Sequence, residues 1–85
     1  MSIAVIPLTQ LRPGQSAVVQ GFSVDIDLRY RKFLQHLGII RRTTVTFVRV
    51  APLGDPIQLQ VLGSQFSLRA NEAQHIYVEI PSTMI

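Results

Sequence analysis

Few residues of this chain carry side chains that could do acid–base, nucleophilic or metal chemistry. The 85 residues include no cysteine, two histidines and five acidic residues. Without cysteine, disulfides, thiolate metal sites and cysteine nucleophiles are excluded. Ser/His/Asp catalysis needs a histidine placed between a nucleophile and a carboxylate, and neither His36 nor His75 has such a motif around it. We therefore predict no catalytic residue and no enzymatic activity.

The oxygen and nitrogen ligands that a divalent metal would need are scattered along the sequence. Recognised metal sites place their ligands at short, characteristic spacings, whereas isolated acids near turns usually cap the backbone. The five glycines are also dispersed and form no phosphate-binding loop. We predict no metal site and no cofactor, and leave open weak binding of a divalent ion. The dispersed candidates are Asp25, Asp27, His36, Asp55, Glu72 and His75.

Composition indicates one small domain over residues 1–85 with more apolar residues than it can bury. Hydrophobic residues make up 47% of the chain and charged residues 15%, against a usual charged share of about 25%. A chain of this size hides only about 60–65% of its unfolded surface. The surplus favours a protein partner or self-association. The net charge of +3 is only weakly suggestive of an anionic partner.

The apolar lead-in at residues 1–7 allows three interpretations. It is short and β-prone, and Pro7 interrupts it, so an added edge strand, an interface segment for a homo-oligomer and a frayed terminus all remain open. It lacks the basic start of a signal peptide, and no apolar run approaches the roughly 20 residues of a membrane helix. We expect a cytoplasmic protein.

Alternation of apolar and polar residues predicts five main strands. The most regular is Ile57, Leu59 and Val61, with glutamines between them facing water. Gly21 marks a bulge or a close backbone approach in the first strand. Gly63-Ser64 fits a two-residue hairpin turn, and the proline-bracketed Ala51–Ile57 stretch reverses the chain. The predicted strands are residues 16–22, 43–51, 57–61, 65–69 and 76–80.

One amphipathic helix interrupts these strands after the first. Apolar residues recur at spacings of three and four at Tyr30, Phe33, Leu34 and Leu37, and Gly38 supplies a stop. Asp25 or Asp27 can cap its start. On the other side, the basic residues are typical of a solvated face. A single helical turn is also expected at residues 70–73.

Short strands in fewer than 90 residues favour closure into a barrel, because an open sheet would leave its edges exposed. We predict an all-β fold with one short helix: a five- to six-stranded SH3-like barrel with the helix inserted after the first main strand. An OB-fold also has five strands, but its helix normally follows the third strand.

Small barrels often bind nucleic acids through a basic groove and stacking aromatic rings. Arg41 and Arg42 supply charge, but Tyr77 is the one aromatic residue that we expect to be exposed and free to stack. Nucleic-acid binding is therefore a second alternative, and we do not expect it.

Four motifs in order resemble the ferrous-iron transport protein A (FeoA) family. They cover about residues 8–80, nearly the whole domain. The Ala-Pro-Leu-Gly-Asp-Pro run is the most specific of them. They are the segments Leu8–Gln15, Leu34–Ile39, Arg49–Ile57, and Phe66–Arg69 followed by Glu72-Ala73 and Ile76–Glu79.

The resemblance implies a cytoplasmic, non-enzymatic SH3-like barrel that works with the large membrane transporter FeoB, whose cytosolic part hydrolyses GTP. In one respect the chain departs from the family, which usually has glycine at the position of Arg42. The turn there is expected to take another conformation and to present an extra charge.

The function that follows is an adaptor that binds the cytosolic GTPase part of the transporter and assists its assembly or activity. Its hydrophobic contacts are expected at Tyr30, Phe33 and Leu53, within a basic rim. For Phe33 and Leu34, burial in the core is the simpler expectation. The alternative is a domain that senses Fe²⁺ or another divalent metal. The predicted contact residues are Arg29, Tyr30, Lys32, Phe33, Arg41, Arg42 and Leu53.

Overall fold

A computed structural model of the protein describes residues 3–81, which form six β-strands and two short helices. The first main strand is followed by the longer helix, as the sequence predicts. A single 3-10 turn, Leu8–Gln10, follows β1. The elements are β1 (Ile3–Pro7), β2 (Ser16–Phe22), α1 (Leu28–His36), β3 (Thr44–Val50), β4 (Ile57–Val61), β5 (Ser64–Leu68), α2 (Ala70–Ala73) and β6 (Ile76–Pro81).

All six strands belong to one antiparallel sheet in the order β1-β6-β2-β3-β4-β5. The lead-in segment forms its first edge: Ile3–Pro7 pairs with β6, with Val5 opposite Glu79. Of the three interpretations of this segment, the structure thus shows the added strand; Met1 and Ser2 lie outside the described residues. Neither helix within residues 3–81 is long and apolar enough to cross a membrane.

Side chains from one face of this curved sheet form the core with Leu34 of α1. The alternation predicted for β4 is confirmed, because Ile57, Leu59 and Val61 are buried. On the opposite face Gln65 bonds to both glutamines of β4, accepting from Gln58 at 2.6 Å and donating to Gln60 at 3.3 Å. The period-two pattern therefore separates core from solvent in this hairpin.

Irregular pairing bends two of the long strands. The predicted bulge at Gly21 is confirmed, since the register between β2 and β6 shifts between Val19 and Gly21. A second shift, between Phe47 and Arg49, lies in β3 opposite β4. Bulges increase local twist, which curls a sheet of short strands around its core.

The turn between β4 and β5 was predicted one residue too late. Val61 pairs with Ser64, so the two turn residues are Leu62 and Gly63 rather than Gly63-Ser64. Both have positive φ, 52° and 83°, as the mirror-image hairpin turn requires. The type of turn is as expected, but a leucine occupies its first position.

α1 begins and ends close to the predicted residues. Asp27 occupies the position before its first turn, but its side chain makes no capping hydrogen bond, so the predicted carboxylate cap is wrong. Gly38 ends the helix with φ +99°, the conformation that glycine adopts without strain.

Candidate partner-binding surface

α1 lies against the sheet with a narrow apolar face. Leu34 is its one fully buried residue, and Tyr30 and Leu37 pack partly against the core. Phe33 was expected in the core, and this is wrong, because 51% of it is exposed. Consecutive helix residues point about 100° apart, so Phe33 falls on the flank of the face that Leu34 occupies.

An aromatic pair forms the edge of this face. The rings of Tyr30 and Phe33 have their centroids 5.8 Å apart and are tilted by 33°, within the range of favourable aromatic contacts. Leu28 is also exposed, at 67%. A helix of nine residues thus presents a phenylalanine and a leucine to solvent.

The hydroxyl of Tyr30 is buried, although much of the residue remains at the surface. Its oxygen has no hydrogen-bond partner among the described residues. Burial raises the pKa of Tyr30, and the negative charge of Glu72 on α2 raises it further. The hydroxyl therefore stays neutral at physiological pH, on the side of the ring that faces Glu72 of α2.

A polar cleft of about 320 Å³ lies between the start of α1 and α2. It holds most of the acids and one histidine considered above as metal ligands. Nevertheless, within the described ranges no three histidine, aspartate or glutamate side chains are arranged to hold a metal ion. The cleft is lined by Asp25, Ile26, Asp27, Tyr30, Asn71, Glu72 and His75.

A second groove, of about 250 Å³, lies on the opposite flank of α1 and is basic. The guanidinium of Arg31 lies 5.8 Å from the centroid of the Phe22 ring, a cation–π contact. Arg41, from the turn after α1, lines the same groove. The lining residues are Gln20, Gly21, Phe22, Arg31, Gln35 and Arg41.

The structure brings some of the predicted contact residues together and separates others. Arg29 and Lys32 are exposed on α1 with the Tyr30–Phe33 pair, whereas Arg41 and Arg42 are exposed in the following turn. Leu53 is 97% exposed at the tip of the β3–β4 reversal.

That reversal is connected to α2 rather than α1. Asp55 accepts a hydrogen bond from the Ala70 N–H at 2.7 Å and lies 3.7 Å from the guanidinium of Arg69. Leu53 is thus held on a separate projection from the aromatic pair.

Sequence reasoning missed Arg31 as a candidate binding residue. It stands among the basic residues of α1 that were interpreted as a solvated face, and only the fold shows that it meets Phe22 and Arg41 at one groove. The one signal available in the sequence was Phe22 at the end of the first predicted strand, an aromatic ring that a cation can cover.

Aromatic stacking of nucleic-acid bases finds little support. Tyr77, the expected stacker, is half-buried in β6, Phe66 is half-buried, and Phe47 is in the core. Among the described aromatic residues only Phe33 is strongly exposed, and one ring is not a stacking platform.

Comparison with known proteins supports the resemblance found in the sequence. The FeoA domain model matches residues 6–80. A fusion of Fe(2+) transport protein A with the Fe(2+) transporter FeoB, from Porphyromonas gingivalis, is 34% identical over 78 residues, which are 89% of this chain. The chain spans only 9% of the length of that fusion protein.

Solved structures share the fold. The solution structure of the FeoA protein from Chlorobium tepidum superposes with a TM-score of 0.81 at 35% identity, covering 88% of this chain and 70% of that one. The zinc-complexed FeoA of Stenotrophomonas maltophilia, described as an SH3 domain protein, gives a TM-score of 0.73 at 30% identity, covering 84% and 86%.

The sheet, the inserted helix and these superpositions define a small SH3-like β domain, as predicted. The chain belongs to the FeoA domain family. In one relative of this chain the same domain is fused to a ferrous-iron transporter, which links the family to ferrous-iron transport.

Proposed function

We propose that the protein is a non-enzymatic cytoplasmic adaptor of ferrous-iron transport, which binds the cytosolic GTPase part of a FeoB-type transporter and assists its assembly or activity. The observation that carries the proposal is the aromatic pair of α1, in which Phe33 is half exposed and packs against the partly buried Tyr30. The fusion in a relative supports the choice of partner, because domains joined in one chain work side by side.

The surface around Phe33 has the composition of a protein interface. Such interfaces place a few aromatic or aliphatic anchors at the centre and polar or charged groups at the rim. Phe33 supplies exposed apolar area, and Arg29 and Lys32 are exposed on the same helix. We assign Phe33 as the central anchor and Leu53 as a second contact on its separate projection.

Calorimetric titration of this chain with the soluble GTPase domain of the transporter, loaded with GDP or with a non-hydrolysable GTP analogue, tests the proposal. Phe33→Ala should weaken binding about tenfold or more, as expected for a truncated interface anchor. Val5→Ala is the matched control, because Val5 is also 51% exposed but lies in the edge strand β1; it should change affinity less than twofold.

Two results would overturn the proposal. One is the absence of binding by the unchanged chain in both nucleotide states. The other is equal loss of binding in the Phe33→Ala and Val5→Ala proteins, which would show that α1 is not the docking element. Leu53→Ala, measured in the same way, decides whether the β3–β4 tip takes part.

A further inference from the structure

The second half of β2 has an open edge. Its first residues, Ser16–Val18, pair with β3, and Val19 still exchanges hydrogen bonds of 2.8 Å with Arg42 and Thr43. Beyond this point β2 continues to Phe22 but pairs only with β6. Within residues 3–81, the edge of Gln20–Phe22 that faces away from β6 has no strand beside it.

The basic groove lies at this open edge. Two of its walls carry arginines, Arg31 from α1 and Arg41 from the following turn, and no acidic residue lines it. The one ion pair in the described part of the chain joins Arg69 to Asp55. Arg31 and Arg41 therefore have no carboxylate partner within that range, and their charges face the groove uncompensated.

The guanidinium groups of Arg31 and Arg41 favour carboxylates as the ligand of the groove. A guanidinium offers two parallel N–H donors that match a carboxylate, and the contact of Arg31 with the Phe22 ring holds one such donor group in place. Gln35 places the end of α1 beside the groove, and the partial negative charge at a helix C-terminus disfavours a doubly charged phosphate. A singly charged carboxylate meets less repulsion.

The edge of the strand specifies the form of the ligand. An unpaired strand edge can add the backbone of an extended peptide, while side chains of that peptide contact flanking groups. In an extended peptide alternate side chains project to the same side, so acidic residues at every second position can meet Arg31 and Arg41 while the backbone lies along Gln20–Phe22.

We propose that this groove binds an extended, acidic segment of a partner protein, with carboxylates on Arg31 and Arg41 and backbone pairing along Gln20–Phe22. This proposal rests on the proposed function only for the identity of the partner protein. Arg31 and Phe33 lie on opposite flanks of α1, because two helical positions turn the chain by about 200°. One partner could therefore contact α1 on both flanks, at Arg31 and at Phe33.

A synthetic peptide tests the groove without the transporter. The probe is a fluorescein-labelled peptide that alternates glutamate with valine and threonine, titrated against the full chain and followed by fluorescence anisotropy. Binding is expected at low salt and should weaken as salt screens the charges. Arg31→Glu and Arg41→Glu should each reduce affinity about tenfold, as expected for loss of a charge-assisted bidentate contact.

Arg49→Glu is the matched control. It makes the same change of charge on an exposed residue near the far end of β3, and should change affinity less than threefold. Arg31→Gln should give an intermediate loss. Thermal melts of each variant establish that it is folded. Amide shifts in a ¹⁵N-labelled sample should be largest for Gln20–Phe22.

Several outcomes would overturn the proposal. Equal weakening by Arg49→Glu would show general charge attraction. Equal binding of a peptide in which every backbone nitrogen is methylated, so that it has no backbone donors, would exclude strand pairing. Tighter binding of inorganic phosphate or of a single-stranded oligonucleotide would assign the groove to another anion. Because no transporter domain is present, such failures leave the adaptor proposal standing.

Discussion

The carboxylate of Asp55 accepts a hydrogen bond of 2.7 Å from the backbone N–H of Ala70, fifteen residues further along the chain. Ala70 is the first residue of α2, and Arg69 before it makes no side-chain cap. Asp55 thus supplies the oxygen that a capping residue usually provides, from the reversal between β3 and β4. This bond ties the projection that carries Leu53 to the helix beside Tyr30.

Asp55→Ala should destabilise the protein by about 1 kcal/mol, the usual cost of removing a helix cap. Asp55→Asn should cost less, because its amide oxygen can still accept from Ala70. Arg69→Ala is the control: its contact with Asp55 is 3.7 Å long and exposed, and exposed ion pairs contribute little. Urea unfolding of the three variants measures the difference. A larger loss for Arg69→Ala than for Asp55→Ala would contradict the capping role.

Replacing Arg42 by glycine tests the backbone of the turn after α1, where the resemblance predicts a glycine. Arg42 is exposed and has φ +78°, the left-handed conformation that suits glycine. Arg42→Gly should relieve roughly 1 kcal/mol of backbone strain in the folded state. Part of this gain in stability is offset because glycine gives the unfolded chain more conformational freedom. The net stability should be unchanged or slightly increased.

Arg42→Val provides the contrast in the same denaturation experiment, because a β-branched residue is poorly tolerated at positive φ. It should destabilise by about 1–2 kcal/mol. Arg42→Ala removes the charged side chain with little change in backbone preference and should be close to neutral. If glycine destabilises more than alanine, strain at Arg42 is not the reason for its effect.

Tyr30 predicts a specific dependence of stability on alkaline pH. Its pKa in the folded protein lies above the ordinary value of 10.0, because burial and the charge of Glu72 oppose ionisation. Above pH 10 the unfolded chain loses this proton while the folded chain retains it. The contribution of Tyr30 to the free energy of unfolding is therefore fully present below pH 10. It is lost as pH rises, by up to about 1.4 kcal/mol per pH unit.

Tyr30→Phe should remove this contribution. The free energy of unfolding of the variant should fall less steeply than that of the unchanged protein between pH 10 and 11, as measured by urea unfolding. Near neutral pH the variant should be at least as stable, because it loses a buried hydroxyl that lacks a hydrogen bond. Parallel slopes in the two proteins would show that Tyr30 ionises as readily in the folded state as in the unfolded state.

Local pattern in the sequence was enough to predict most of the fold. Alternation placed Ile57, Leu59 and Val61 in the core, and spacings of three and four with a following Gly38 located α1. These signals succeed because strand and helix periods are fixed by backbone geometry. The resemblance of four motifs then identified the family that the domain model confirms.

Two kinds of feature could not be predicted from the sequence. Some depend on contacts between residues far apart in the chain, and others are alternatives that fit the alternation of apolar and polar residues equally well. Moving the turn from Leu62-Gly63 to Gly63-Ser64 shifts the hairpin register by two residues, and a shift of two keeps every side chain on the same face. Alternation therefore cannot choose between the two turns. Likewise, Asp55 contacts Ala70, and Arg31 reaches a groove with Arg41, only after the chain has folded.

The junction between Gly38 and Leu62 gives the last prediction, since it joins the end of α1 to the β4–β5 turn. A methyl group at Gly38 would lie 2.8 Å from Leu62 Cδ1, closer than carbon atoms normally approach, and the residue has φ +99°. Leu62 is largely exposed and its Cδ1 is the end of a flexible side chain, so it can move aside. Gly38→Ala should therefore destabilise by about 1 kcal/mol, mainly through backbone strain.

A double-mutant cycle separates backbone strain from the steric clash. Leu62→Ala removes the atom that clashes, and it should be mild by itself because Leu62 is largely exposed. In that background Gly38→Ala should cost about 1 kcal/mol, the part due to φ alone. The two changes should thus be nearly additive, with a coupling energy from urea unfolding below about 0.5 kcal/mol. A favourable coupling of about 1 kcal/mol or more would show that Leu62 cannot move aside and that the clash contributes to the cost at Gly38.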